Sequence, residues 1–136
     1  MEMTQILLIE DNPGDIFLVQ RALEEHLIPH RLHVVRDGGE AFAYLARMDQ
    51  SGGTPCPHVL LIDLNLPKAE GAEVLAAFRK HPACAQTPVI VLSSSDAPRD
   101  RTQMAALGFS RYFKKPSSLD AFLQLGAVVR EVIEGL

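Results

Sequence analysis

Three stretches of the chain, "QILLIE" (5–10), "HVLLID" (58–63) and "TPVIVLSSS" (87–95), are apolar at successive positions instead of at every second one. A strand with one wet face alternates. A strand without alternation is covered on both faces, as in a parallel sheet with helices packed on either side. Shorter and weaker runs at "RLHVV" (31–35) and "SRYFKK" (110–115) bring the number of expected strands to five.

Segments of helical period separate these runs. Asn12 before Pro13 reads as an N-cap with proline at the first helical position, and Ile16, Val19 and Leu23 follow at three- and four-residue spacing. The same period predicts helices over 40–48 (Ala41, Tyr44, Leu45), 71–81 (Val74, Leu75, Phe78), 100–107 with Gly108 as C-terminal cap, and 118–134. Strand followed by helix five times predicts an α/β chain of flavodoxin-like, doubly wound (βα)5 type. The 136 residues suit one domain, 1–136, and the stretch "DQSGGTPCP" (49–57) reads as a long surface loop.

The fifth helix carries two apolar stripes, Leu119, Phe122, Leu123, Val129 and Ile133 on one and Ala121, Leu125, Val128, Val132 and Leu136 on the other. That is wider than one sheet contact requires, so either the helix is deeply buried or one stripe is a protein interface.

Composition removes several function classes. The net charge is −4 with acids and bases interleaved, so the basic patch of a nucleic-acid binder is missing and no DNA partner is expected. No apolar run approaches the length of a membrane span or a signal peptide, which predicts a cytoplasmic protein with no membrane partner. Cys56 and Cys84 lie in separate stretches outside any CxxC pair and are expected to be two reduced thiols. His26, His30, His33, His58 and His81 lack metal-site spacing.

Functional side chains of an open parallel sheet collect at the carboxyl ends of its strands. Those ends carry Glu10 and Asp11 after the first, Asp63 after the third, Ser93 and Ser94 after the fourth, and Lys114 and Lys115 after the fifth. Singly, each has an ordinary explanation as a cap, a turn residue or a solvated charge. Together, three carboxylates repel one another unless a cation sits among them, and an all-oxygen site suits Mg²⁺ or Mn²⁺. An acidic cluster beside a lysine points to phosphoryl chemistry.

In this order, "LLIEDNPGD", "LLIDLNLP", "PVIVLSSS" and "YFKKP" resemble the receiver domain of two-component response regulators. The resemblance implies a phosphorylation-dependent switch, not an enzyme with an external product, fed by a sensor histidine kinase. It implies Asp63 as phosphoacceptor, and Glu10, Asp11, Asp63 and the Asn65 carbonyl as ligands of Mg²⁺. Ser93 would be the switch hydroxyl with Ser94 beside it, Tyr112 the switch aromatic, and Lys115 the lysine preceding a cis peptide to Pro116. Glu10 departs from the family's commoner aspartate, while Lys114 and the serines at 94 and 95 stand outside the shared motif.

"DLNLPKAEG" and "IEDNPGD", with the long loop before the third strand, further resemble stand-alone receivers without an effector domain that serve bacterial phytochromes. This implies a bacteriophytochrome kinase and a homodimer through the fourth helix, fifth strand and fifth helix. Three other classes fit less well. A haloacid-dehalogenase-type phosphatase wants a second Asp where Asn65 stands. A flavin or nucleotide binder wants a phosphate-cradling loop where "EDNPGD" places acids. A degenerate receiver would lack the set Asp11, Asp63, Ser93 and Lys115.

Overall fold

A computed structural model describes residues 3–50, 55–66, 70–95 and 97–136. The strands β1 (Thr4–Ile9), β2 (His30–Val35), β3 (Val59–Asp63), β4 (Val89–Ser93) and β5 (Arg111–Lys114) form one parallel sheet in the order β2-β1-β3-β4-β5. The helices are α1 (Pro13–Glu25), α2 (Gly38–Met48), α3 (Gly71–Lys80), α4 (Pro98–Leu107), α5 (Leu119–Leu123) and α6 (Leu125–Glu134), with a 3₁₀ turn at Pro82–Cys84. No described helix is long and apolar enough to cross a membrane.

The unbroken apolar runs are explained by parity. Ile6, Leu8, Leu61 and Ile90 face Val19, Leu23, Phe122 and Val129 of α1, α5 and α6. Their neighbours Leu7, Ile9, Leu60, Ile62 and Val91 face Val74, Leu75, Phe78 and Met104 of α3 and α4. Over 6–9, 59–62 and 89–92 the three inner strands thus feed two cores and leave no position for a polar side chain, whereas the edge strands β2 and β5 expose Arg31, His33, Arg111 and Lys114.

Caps fix where two helices start. The Asn12 side chain accepts from the Asp15 N–H at 3.0 Å, and Asp37 accepts from the Glu40 N–H at 2.8 Å. The Asp37 cap lets α2 begin at Gly38, two residues before its apolar period shows. Pro98 likewise opens α4 ahead of Asp100.

The expected fifth helix is instead two helices meeting at Gln124. A Cβ on Gly126 would collide with the Ala22 carbonyl and the His26 ring, so α6 sits unusually close to the end of α1. At this joint the Ala127 N–H donates to the Gln124 carbonyl at 3.0 Å, and His26 Nε2 bonds the Leu123 carbonyl at 3.1 Å. The two apolar stripes are also redistributed: Phe122, Leu125, Val129 and Val132 form the buried face, while Leu119 and Leu136 are exposed.

The expectation of two free thiols is overturned, because Cys56 and Cys84 form a disulfide with Cα atoms 5.8 Å apart. Their separation of 28 residues hides their proximity in the sequence. Neighbouring β3 and β4, with Leu60 opposite Val89, bring the segments that feed them to the same end of the sheet. Of the expected loop over 49–57, residues 51–54 lie outside the described residues.

Candidate phosphoryl-transfer site

The sheet order changes direction between β1 and β3, and the crevice beyond the carboxyl ends of those strands is where such folds bind ligands. Glu10 follows β1 directly, and its N–H donates to the Val35 carbonyl at 3.0 Å, which extends the β1–β2 ladder by one residue. Asp63 is the last residue of β3 and is 6 % exposed. Gly71 permits the close approach of α3 behind it, since a Cβ there would lie 2.6 Å from the Asp63 carbonyl oxygen.

Lys115 gathers the acids. Its Nζ donates to Glu10 Oε2 at 2.8 Å, Asp15 Oδ2 at 2.8 Å and Asp63 Oδ2 at 3.1 Å, so its three N–H groups meet three carboxylates. The second oxygens are also used: Glu10 Oε1 accepts from the Asn12 N–H at 3.2 Å, and Asp63 Oδ1 from the Asn65 N–H at 3.1 Å. Burial alone would lower the Lys115 pKa, but its hydrogen bonds to Asp15 and Glu10 and the charge of Asp63 outweigh it and hold the ammonium above the ordinary lysine value. Burial pushes the Glu10 carboxyl up to about 7, with Lys115 opposing and Asp63 adding to the rise.

Glu10, Asp11 and Asp63 can each offer an oxygen within 4.8 Å of the others. Lys115 is bonded to Glu10, Asp15 and Asp63, which leaves Asp11 as a further acid of the cluster without a bond to the ammonium. The oxygen-only donor set and this surplus of negative charge fit a hard divalent cation.

The lysine reaches the site without the expected cis bond to Pro116. Among the described residues there is no cis peptide. Trans is the lower-energy isomer of an X–Pro bond, and the Lys115 N–H, which donates to the Ser93 carbonyl at 2.7 Å, continues the β4–β5 ladder into the site.

Of the remaining expected residues, Ser93 is fully buried and Ser94 and Lys114 are exposed. The Ser93 hydroxyl accepts from the Ser95 N–H at 3.0 Å. Tyr112 is half-buried on β5, and its hydroxyl donates to the Ser95 carbonyl at 2.8 Å. The Arg101 guanidinium lies 4.4 Å from the Tyr112 ring centroid.

Two functional positions escape the sequence reading. Asp15 lies one turn into α1, and its spacing of four from Asp11 is the signal that could have found it. Ser95, set outside the motif, joins Ser93 to Tyr112, and its hydroxyl donates to Asp100 Oδ2 at 2.9 Å and accepts from the Ala97 N–H at 3.2 Å. A serine just before a proline-started helix, with Asp100 five residues on, is the corresponding signal.

The sequence profile of the response regulator receiver domain matches residues 6–126. The chain belongs to the response regulator receiver family. Its receiver fold is shared with response regulator Rcp1 of Synechocystis, to which it is 39 % identical over 114 residues, 84 % of this chain and 78 % of that protein. The phosphorylated cyanobacterial phytochrome response regulator RcpA superposes with a TM-score of 0.85 at 38 % identity, covering 96 % of this chain and 93 % of the other. The Mn²⁺-bound form of Rcp1 superposes with a TM-score of 0.81 at 35 % identity, over 94 % and 92 % of the two chains. The family's role is that of a phosphorylation-dependent signalling switch, and a receiver implies a phosphodonor such as a histidine kinase.

Proposed function

We propose that Asp63 accepts a phosphoryl group from a sensor histidine kinase, assisted by Mg²⁺ or Mn²⁺ and Lys115. The observation that carries this reading is the convergence of Asp63, at the end of β3, with Glu10 and Asp15 on the Lys115 ammonium. Glu10, Asp11, Asp63 and the Asn65 carbonyl would hold the divalent cation. Bound there, it supplies positive charge against the phosphoryl oxygens and the acids around them.

In the transfer, an Asp63 oxygen forms a bond to phosphorus while the P–N bond of the donor phosphohistidine breaks, and the imidazole leaves with the electron pair and takes a proton from solvent. Buried backbone on both sides of β3 holds Asp63 at a fixed point, so positioning accounts for much of the rate. Lys115, already aimed at Asp63, offers its N–H groups to the incoming oxygens. The protein thereby catalyses its own phosphorylation and dephosphorylation and no other reaction.

The response runs through Ser93. A phosphoryl oxygen on Asp63 is a stronger acceptor than any group now near the buried hydroxyl, and turning Ser93 toward it, with Ser94 alongside, costs the bond from the Ser95 N–H. Ser95 also holds Tyr112 and the first turn of α4, so its shift releases both. Phosphorylation then changes the population of a packing arrangement.

Residues 1–136 are read as a single receiver domain in the cytoplasm. The likeness to RcpA, a cyanobacterial phytochrome response regulator, supports a bacteriophytochrome as the kinase. A homodimer through α4, β5 and the α5–α6 pair fits the exposure of α4, which buries only Met104. Intact mass after incubation with acetyl phosphate and Mg²⁺ tests the core claim: wild type gains one phosphate, while Asp63→Asn and wild type in excess chelator gain none. No adduct in wild type, or an equal one in Asp63→Asn, would sink it. Size-exclusion mass with a phosphoryl mimic tests the dimer, and an unchanged monomer counts against it.

A further inference from the structure

Cys56 and Cys84 meet at the amino-terminal end of β3 and β4, opposite the end that carries Asp63. Cys84 is 1 % exposed, whereas Cys56 is half-buried, so only one sulfur can be approached from solvent. The Thr87 hydroxyl lies 3.1 Å from the Cys56 sulfur and donates to it. The bridge is also wired to another element. Arg79 Nη1 donates to the Cys84 carbonyl at 3.0 Å and the Thr87 carbonyl at 2.6 Å. The same guanidinium donates through Nε to the Leu107 carbonyl at 3.1 Å and through Nη2 to the Gly108 carbonyl at 2.7 Å.

These four acceptors belong to two otherwise separate segments, the turn that carries Cys84 and the carboxyl end of α4. Arg79 is therefore only as well placed as the carbonyls around it, and the disulfide pins one of them. Disulfides in reducing compartments are usually transient and redox-sensing. We propose that Cys56–Cys84 is a reversible redox site for a dithiol reductant of the thioredoxin class, and that its state sets how firmly the end of α4 is held.

The chemistry balances as ordinary thiol–disulfide exchange. A reductant thiolate attacks the Cys56 sulfur, the S–S bond breaks, and the Cys84 sulfur leaves as a thiolate and takes a proton. The reductant's second thiol, as its thiolate, then attacks its own sulfur in the mixed disulfide and frees Cys56 beside the Thr87 hydroxyl, where it too is protonated. Two electrons and two protons pass to the protein, and the reductant departs as its disulfide.

The test uses the folded full chain in dithiothreitol buffers of graded poise, alkylated with N-ethylmaleimide and weighed intact. A single transition from no adducts to one on the approachable Cys56, becoming two when the reduced sample is alkylated in denaturant, and reversed by oxidised dithiothreitol, is expected. Sulfurs that stay bridged until the chain unfolds, or that alkylate even in the most oxidising buffer, would overturn the redox site. Hydrogen exchange across 105–110 should be several-fold faster in reduced wild type and in Cys56→Ser than in the oxidised protein, and equally fast in both redox states of Arg79→Gln. Equal rates in oxidised and reduced wild type would overturn the link to α4. No phosphodonor is present in either measurement, so its outcome is independent of the role of Asp63.

Discussion

Two proline-started helices flank the site, and they are anchored very differently. The first, α1, has a side-chain cap from Asn12 and buries Ile16, Val19, Ala22 and Leu23. The second, α4, begins behind Ala97 with no side-chain cap and buries Met104 alone. At about 1.5–3 kcal/mol for each large apolar side chain fully buried, α1 gains several times what α4 does. The helix that carries Asp15 is part of the scaffold, while the helix that follows Ser93 is held at its two ends by polar contacts from Ser95 and Arg79. A switch needs this division, because a fixed reacting centre can move only what is weakly attached.

The contrast can be broken most severely at its fixed side. Lys115→Met leaves three buried or half-buried carboxylates without their cation and should cost about 3–5 kcal/mol in metal-free urea unfolding. Added Mg²⁺ should recover part of that loss, and a loss below 1 kcal/mol would mean that the acids hold themselves apart.

Next in size is a pH effect. The folded Glu10 pKa of about 7 lies above its unfolded value of 4.5, so this group favours the folded state fully below pH 4.5 and loses that contribution as pH rises to 7. The loss amounts to about 3 kcal/mol in the metal-free protein. Glu10→Gln should flatten the stability profile in that window. A Glu10-dependent climb of the wild-type profile from pH 4.5 to 7 would mean that the folded state instead favours the charged carboxylate.

Met104→Ala should cost about 2 kcal/mol or more, and its signature is local: faster hydrogen exchange across 98–107, with α1 protected as before. Uniform acceleration over both helices would erase the distinction between them. Smallest is Tyr112→Phe, which removes the bond to the Ser95 carbonyl, at about 1 kcal/mol. It should raise exchange at 97–101 without changing phosphorylation of Asp63.

The sheet and the Asp63 site were legible because both follow from strand ends. Apolar runs locate the strands, and the first charged residue after each run must lie at the rim. Asp15 and Ser95 were harder, since their roles depend on which way a helix leaves the rim and not on where a strand stops. The disulfide was not legible at all: only the β3–β4 adjacency makes residues 28 apart neighbours. The break at Gln124 likewise depends on Gly126 meeting His26 across nearly a hundred residues of chain. The trans bond before Pro116 departs from what the family resemblance implies.

The Cys56–Cys84 bridge closes a covalent ring that contains all of β3, and therefore Asp63, together with α3. A protease that cuts once inside this ring leaves a single molecule, heavier by one water and unseparated on a non-reducing gel. Only a thiol would part the two fragments, so the ratio of nicked to separated chain reports the bridge in a cell extract without any label.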